Sequence, residues 1–552
     1  MKTPASGILL SNRLESQKLE PQKPGSKDPQ AKKYEAKGKD QHTEAPTNIS
    51  LPDIVSALSF ALDLTEGAMP GHAVRTCLLG MRLAEALNLS NDEKSDLYYA
   101  LLLKDVGCSS NAAHLSEILG GDDRQAKHDS SLQDWSKISW IALRTVWASV
   151  LPGASPLVKL RRMVKLTRER KQSYAEMVGI RAERGAGIVT KIGLSEQTAD
   201  FIRHLDEHWN GCGYPGHLRG EAIPLGSRIL SIAQNLDVFY TEYGADAAMK
   251  MLRKRSRKWF DPGLVKVVQT LHNAGNLWNC LGAGVDRDIV LALDPGLSNA
   301  ISPDATLTNM GPGVTRQTLP DTAPPARTGT SGSGIFGLGL RRRTTAIQID
   351  KICEAFADVV DAKSSYTYEH SMGVTRAAGM IAEQLGLEPE RRNLVYRSAL
   401  LHDIGKLRIP NSILDKPGKL DAGEWNVVRE HPLLTERILG RIAKFDVIAR
   451  TASQHHERLD GSGYPHGLRA EQLSLEARLI AVADVYGALS EHRPYRPALE
   501  PDEIMSIMSK DVPDKLDPVC FDALRSALKR TGGLVRAADG EMLTSHGTMT
   551  PA

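Results

Sequence analysis

Apolar residues become periodic at Leu51. Ile54, Leu58 and Leu62, then Val74, Leu78, Met81, Ala84 and Leu87, recur at three- and four-residue steps, the spacing of helices that bury one face. The pattern predicts helices through most of the chain to about Leu293. In the second half, apolar helical contexts run from Met372 to Leu385 and from Ala477 to Leu489. Residues 1–48 are polar and Lys-rich, with Gln, Pro and Ser throughout. Such a segment buries too little apolar surface to offset its ordering entropy, so it is expected to be a disordered tail. Residues 539–552 are read the same way. From Asp294 to Ser333 the chain is rich in Pro, Thr, Gly, Ser and Ala, which predicts a flexible linker. With the charge run Arg341-Arg342-Arg343 that linker spans 294–343. The expectation is an all-α protein with helical domains over 49–293 and 344–538.

The two helical segments repeat each other. His72 falls on His370 at an offset of 298, and the same offset places Lys104-Asp105 on His402-Asp403. At an offset of 250, Gly211-Cys212-Gly213-Tyr214-Pro215 falls on Gly461-Ser462-Gly463-Tyr464-Pro465. Two copies of one helical unit in tandem explain this better than three or four unrelated domains, which length alone suggests.

Composition narrows the class. Of 552 residues, 41% are hydrophobic and 24% charged, ordinary for a globular protein. A net charge of +3 gives no case for binding duplex nucleic acid. The six cysteines are scattered without a CxxC, which suggests reduced thiols and a cytoplasmic protein. No apolar run reaches the roughly 18 residues of a membrane span, so none is expected.

The chemistry is concentrated between His402 and Pro465. His402-Asp403 opens the stretch, His431-Pro432 sits within it, and His455-His456 precedes Gly461-Ser462-Gly463-Tyr464-Pro465. His370 lies 32 residues before His402, and Asp484 lies 28 after His456. Imidazoles and carboxylates together suit iron, manganese, zinc or nickel. His431 taken alone is also consistent with an ordinary helix-end residue.

The residues His402-Asp403, Gly405-Lys406, His455-His456-Glu457, Gly463-Tyr464-Pro465, Ala483-Asp484-Val485-Tyr486 and Arg493-Pro494-Tyr495-Arg496 resemble the HD-GYP family of HD phosphohydrolases. The resemblance covers roughly Ala346 to Leu528. It implies two HD-type helical bundles, the second a metal-dependent phosphodiesterase that hydrolyses cyclic di-GMP to pGpG and on to GMP, by two-metal activation of water. It assigns His370, His402, Asp403 and Asp484 to one divalent ion and His431, His455 and His456 to a second, with Asp403 bridging and iron or manganese as the metals. Lys406, four residues after His402, is expected on the same helical face and against a phosphate oxygen; a surface lysine is the plain alternative. Arg493, Arg496 and Tyr464 are further candidate substrate contacts. Glu457 and Asp460 are expected to brace the loop. Where some relatives carry a third-metal glutamate, this chain has Tyr366, which favours two metals. The alternatives are a cyclic-dinucleotide receptor that turns over poorly and signals through protein partners, or a phosphodiesterase for another cyclic dinucleotide. A homodimer and GGDEF-type or other signalling proteins are candidate partners.

On the repeat, the first copy loses most of its ligands, and only His72, Asp105 and Asp206 keep ligand character. Lys104 stands for His402, Arg181 for His431, Leu205 for His455, Asp206 for His456 and Gln234 for Asp484. That copy is expected to be a metal-free scaffold or dimerisation domain, with binding of an anionic nucleotide as the alternative.

Overall fold

A computed structural model describes residues 49–66, 69–109, 175–283, 287–295, 343–344, 346–363, 370–416, 418–491 and 497–530. The expected tails, nearly all of the 294–343 linker, Tyr366, Arg493 and Arg496 lie outside the described residues.

The fold is all-α. The first half comprises α1 (Leu51–Glu66), α2 (His72–Ala86), α3 (Asn91–Leu103), α4 (175–191), α5 (Glu196–Arg203), α6 (Leu225–Arg255), α7 (Pro262–Asn273) and α8 (Arg287–Ala292). The second half opens with α9 (Ala346–Asp361), α10 (His370–Gln384), α11 (Pro389–Leu401), α12 (Asn411–Leu414) and α13 (Ala422–Arg429). It continues with α14 (His431–Leu439), α15 (Asp446–Ser453), α16 (Leu475–Ser490), α17 (Pro501–Met508) and α18 (Pro518–Arg530). Local sequence sets several starts. Ser90 caps α3 in a reciprocal pair with Glu93, and Ser474 caps α16 by accepting from the Ala477 amide at 3.1 Å. Among the described residues the one sheet is a two-residue antiparallel pair, Ile49–Ser50 with Arg343–Thr344.

The halves pack on each other. Helix α1 is buried nearly all round, with Ile54, Val55 and Leu58 fully enclosed. It serves two partners: α2 and α3 of its own half, and in the second half α14 and the 3₁₀ turn Ile404–Arg408. Its buried polar residues include Asp63, which accepts from the amides of Gly71 and Ala73 at the start of α2, both at 3.0 Å, so the helix serves as a core element on all sides. The Arg441 guanidinium sits 4.4 Å from the centre of the Phe60 ring. Lys191 pairs with Asp358 at 2.8 Å, and Arg184 donates to the Asp358 carbonyl at 3.1 Å. Buried side chains from both halves therefore form one continuous cluster, while α10, α16 and α18 enclose a second one.

Close backbone approaches support the repeat. A Cβ on Gly405 would run into the His431 carbonyl, and one on Gly107 would run into the Arg181 carbonyl. The same glycine-to-carbonyl contact occurs at matching positions, so His431 and Arg181 occupy corresponding places. Both Tyr-Pro bonds of the two loops, Tyr214-Pro215 and Tyr464-Pro465, are cis.

Candidate metal centre

Every expected metal ligand in the second half arrives at one buried place. His370 opens α10, and His402 and Asp403 follow the end of α11. His431 opens α14, His455 and His456 follow α15, and Asp484 lies within α16. The turn that carries Asp403 is tied to α14. The Gly405 amide donates to the Thr435 hydroxyl at 3.1 Å, and that hydroxyl donates to the His402 carbonyl at 2.9 Å.

The helix ends also orient the rings. Nδ1 of His402, His431 and His455 each lies 2.7 Å from the carbonyl three residues earlier, those of Ala399, Val428 and Ala452. A carbonyl only accepts, so Nδ1 carries the proton and Nε2 offers a lone pair inward. His370 is held differently, with Nδ1 2.8 Å from Glu491 Oε1. The sequence reading did not single out Glu491; its one signal is its place seven residues after Asp484.

Asp403 divides the set. Its Oδ1 lies 3.3 Å from His431 Nε2 and 3.7 Å from His455 Nε2. Its Oδ2 lies 3.2 Å from His402 Nε2 and 3.5 Å from His370 Nε2. Asp484 Oδ1 faces His370 Nε2 at 3.4 Å, and its Oδ2 faces His456 Nδ1 at 3.7 Å. Two ligand trios result, His370-His402-Asp484 and His431-His455-His456, with Asp403 between them.

This set fits metal cations. His370 Nε2, His402 Nε2 and Asp403 Oδ1 are buried with no hydrogen-bond partner, a costly arrangement for an apolar interior. His431 Nε2 and His455 Nε2 stand 3.1 Å apart, and with both Nδ1 atoms protonated those lone pairs repel unless a cation lies between them.

The electrostatics follow from crowding. Burial alone would lower His370, but the Asp484 and Glu491 carboxylates that face its two ring nitrogens outweigh it and raise the imidazole to about 9. Burial would raise Asp403, yet His402 and Lys406 hold it well below the usual carboxylate range. Asp484 is likewise held low, against burial, by His370 and His456. Burial and neighbouring imidazoles push His455 well down, and burial takes His456 to about 3. In the metal-free fold His370 therefore keeps its proton until pH approaches about 9, against about 6.5 when unfolded. The resulting stability is complete below the unfolded value and is lost as pH rises through about 9. A metal ligand must give that proton up. Asp403 likewise raises His402, against burial, so metal uptake in this range is expected to release protons from these two imidazoles, with affinity rising with pH. Calorimetric metal titrations in two buffers of different ionisation enthalpy measure it, and buffer-independent heats would contradict it.

Other expected positions are mixed. Lys406 does not share a helix with His402. Helix α11 ends at Leu401 and Lys406 lies in the following 3₁₀ turn, because the chain must bend there for Gly405 to meet α14. The turn nonetheless brings the Lys406 ammonium onto Asp403 Oδ2. Tyr464 packs on His456, ring centres 4.8 Å apart. Glu457 accepts from the amides of His466 at 2.7 Å and Leu468 at 2.9 Å, so it braces the loop. Asp460 accepts from the Ser462 amide at 2.8 Å.

The first half answers its cations internally. Lys104 is buried and ion-paired with Asp105, and Arg181 is ion-paired with Asp206. Burial would lower Lys104, but Asp105 keeps it raised. Two side-chain cations thus sit against the carboxylates of the matching pocket, in place of an open anion site. His72 turns to Asp237 at 2.7 Å, and Arg75 meets the same carboxylate at 2.6 Å. Glu207 accepts from the Gly216 and Leu218 amides, repeating the Glu457 brace.

Comparison with known proteins bears on the family and the class of reaction. A family profile described as HD domain matches residues 139–264 and 354–519. The chain is 37% identical over 484 residues to a 3'3'-cGAMP-specific phosphodiesterase 3 of Vibrio cholerae, covering 88% of this chain and 96% of that one. It is 46% identical over 153 residues to the cyclic di-GMP phosphodiesterase response regulator RpfG of Xanthomonas campestris, covering 27% of this chain and 40% of that one. A crystal structure of a cyclic GMP-AMP specific phosphodiesterase of V. cholerae matches with a TM-score of 0.55 and 34% identity, over 87% of this chain and 98% of that one.

Proposed function

Because this chain belongs to the HD-domain family, among the HD-GYP phosphodiesterases, we propose that its second half hydrolyses 3'3'-cGAMP at a two-metal centre, giving a linear dinucleotide. Cyclic-dinucleotide phosphodiesterase activity is common to its relatives, and no helix among the described residues is long and apolar enough to cross a membrane. The choice of 3'3'-cGAMP departs from the cyclic di-GMP expected from the motifs. It rests on one observation: the relative similar across both halves is named for 3'3'-cGAMP, whereas the similarity to the cyclic di-GMP regulator covers 27% of this chain. Cyclic di-GMP is the second reading, favoured by the higher identity within that shorter span.

His370, His402 and Asp484 would hold one divalent ion, His431, His455 and His456 the other, and Asp403 would bridge. When bound, such a pair activates water as a nucleophile and neutralises charge on the phosphoryl oxygens. Iron or manganese suits the imidazole and carboxylate donors. Asp403, held ionised, spans the two ligand trios with its two oxygens. Lys406, on Asp403 Oδ2, can swing from that carboxylate to a phosphate oxygen with its flexible stem. The Tyr464 ring packs on His456 and would help to set the orientation of that ligand ring. The first half, with its side-chain cations, acts as a metal-free scaffold that backs the Asp403 turn through α1.

Purified full-length protein, loaded anaerobically with iron or manganese, is the test. Expected are turnover of 3'3'-cGAMP with higher kcat/KM than cyclic di-GMP and about two metals per chain. The reverse preference would favour the second reading. Tight nucleotide binding without turnover would replace both with a receptor. Four metals per chain would contradict the assignment of the first half.

A further inference from the structure

Helix α13 sits beside the metal centre and buries none of its residues. It is held by its ends. Asp421 and Glu424 cap each other's backbone, Lys416 reaches Glu424 at 2.7 Å, and two residues beyond its last turn the chain enters α14 at His431. Its outer surface is not uniformly polar: Trp425 is 44% exposed. Trp425 and Arg429 are four residues apart and therefore share one face. The Arg429 guanidinium lies 5.3 Å from the centre of the Tyr464 ring, whose other neighbour is the ligand ring of His456. Among the described residues no carboxylate pairs with Arg429. An exposed cation over the Tyr464 ring and an exposed indole one turn away thus lie on the Tyr464 side of the centre.

We propose that this face recognises a base of the substrate: Trp425 stacks on it and Arg429 reads guanine. The proposal rests on the cyclic-dinucleotide reading of the site. The scissile phosphate must reach the metal ligands, so what extends past Tyr464 to Arg429 is another part of the ring, a base or the second phosphate, and the exposed indole of Trp425 on the same helical face favours a base. Guanine presents two acceptors, O6 and N7, on one edge, which a guanidinium fork can engage together. Adenine presents N7 beside an amino donor and can satisfy only one arm of the fork. Stacking on an indole is indifferent to which base is present, because every base has a π-face. The two residues therefore divide the work. Trp425 supplies affinity for any base, and Arg429 supplies the preference for guanine at one of the two base positions.

The test compares binding of 3'3'-cGAMP, cyclic di-GMP and cyclic di-AMP to metal-loaded, full-length protein and to Arg429→Gln and Trp425→Ala. Because α13 buries no side chain, both variants are expected to fold and keep the metal content of the parent, which is measured alongside. Arg429→Gln is expected to weaken the two guanine-containing ligands about 10- to 100-fold and cyclic di-AMP by less than about threefold. Trp425→Ala is expected to weaken all three alike, by roughly tenfold. Equal losses for all three ligands in Arg429→Gln would make Arg429 a phosphate contact and overturn guanine reading. Unchanged binding in both variants would overturn the whole face. Parent protein that binds the nucleotides without hydrolysing them would sink the enzymatic reading instead, while the binding series would still decide this inference.

Discussion

Asp403→Ala is expected to lower cyclic-dinucleotide turnover by about 10³-fold or more, a loss of about 4 kcal/mol in transition-state stabilisation. The reason is geometric. Its two oxygens face different histidine pairs, His431 with His455 and His402 with His370. No imidazole can take its place, since one ring nitrogen cannot span two cations. The variant should also lose metal, read by elemental analysis. It should keep its fold, because removing Asp403 leaves the hydrogen bonds that tie the Gly405 turn to Thr435 intact. Near-normal turnover would remove Asp403 from the bridge. Loss of turnover with metal content unchanged would leave it a role in the reaction but not in holding the ions.

The second large effect lies in the half without metal ligands. Lys104→Met is expected to destabilise the protein by about 3–5 kcal/mol, because it leaves the Asp105 carboxylate without its close cation in a mostly buried site. Burial already works against the ionised Asp105, and Lys104 is the largest influence that opposes it. Removing both charges together, as Lys104→Met with Asp105→Asn, should recover most of the loss, since an uncharged pair carries no such penalty. Urea or thermal unfolding reads both. If the single variant is as stable as the parent, the cation is not what holds that pocket together. If the double variant is no better than the single, the loss comes from packing of the lysine stem and not from charge.

The same helical period that located the domains also misled at one point. His402 and Lys406 are four apart, and four residues on a helix share a face. The helix ends at Leu401, however, and the following turn is forced by contact of Gly405 with the His431 backbone, 26 residues away. No local pattern announces such an ending. Glu491 was missed for a related reason: it is one acid among many until the fold brings it to His370 Nδ1. Arg429 carries no motif either, and stands out only because Tyr464 and His456 lie beside it.

Residue type and spacing alone establish the helical class, the internal repeat, the partial loss of ligand character in the first copy and the seven candidate ligands. These are properties of residue type and spacing: periodic apolar positions must bury a face, and imidazoles with carboxylates in ordered motifs carry their chemistry with them. Only the tertiary structure decided that Asp403 faces both trios, that Lys104 and Arg181 are paired with carboxylates, and that α1 of one half completes the core behind the active turn of the other. Each of these depends on which side chains meet across long separations. A buried charge finds its partner, and a helix buried on every side its second face, only when the chain is packed.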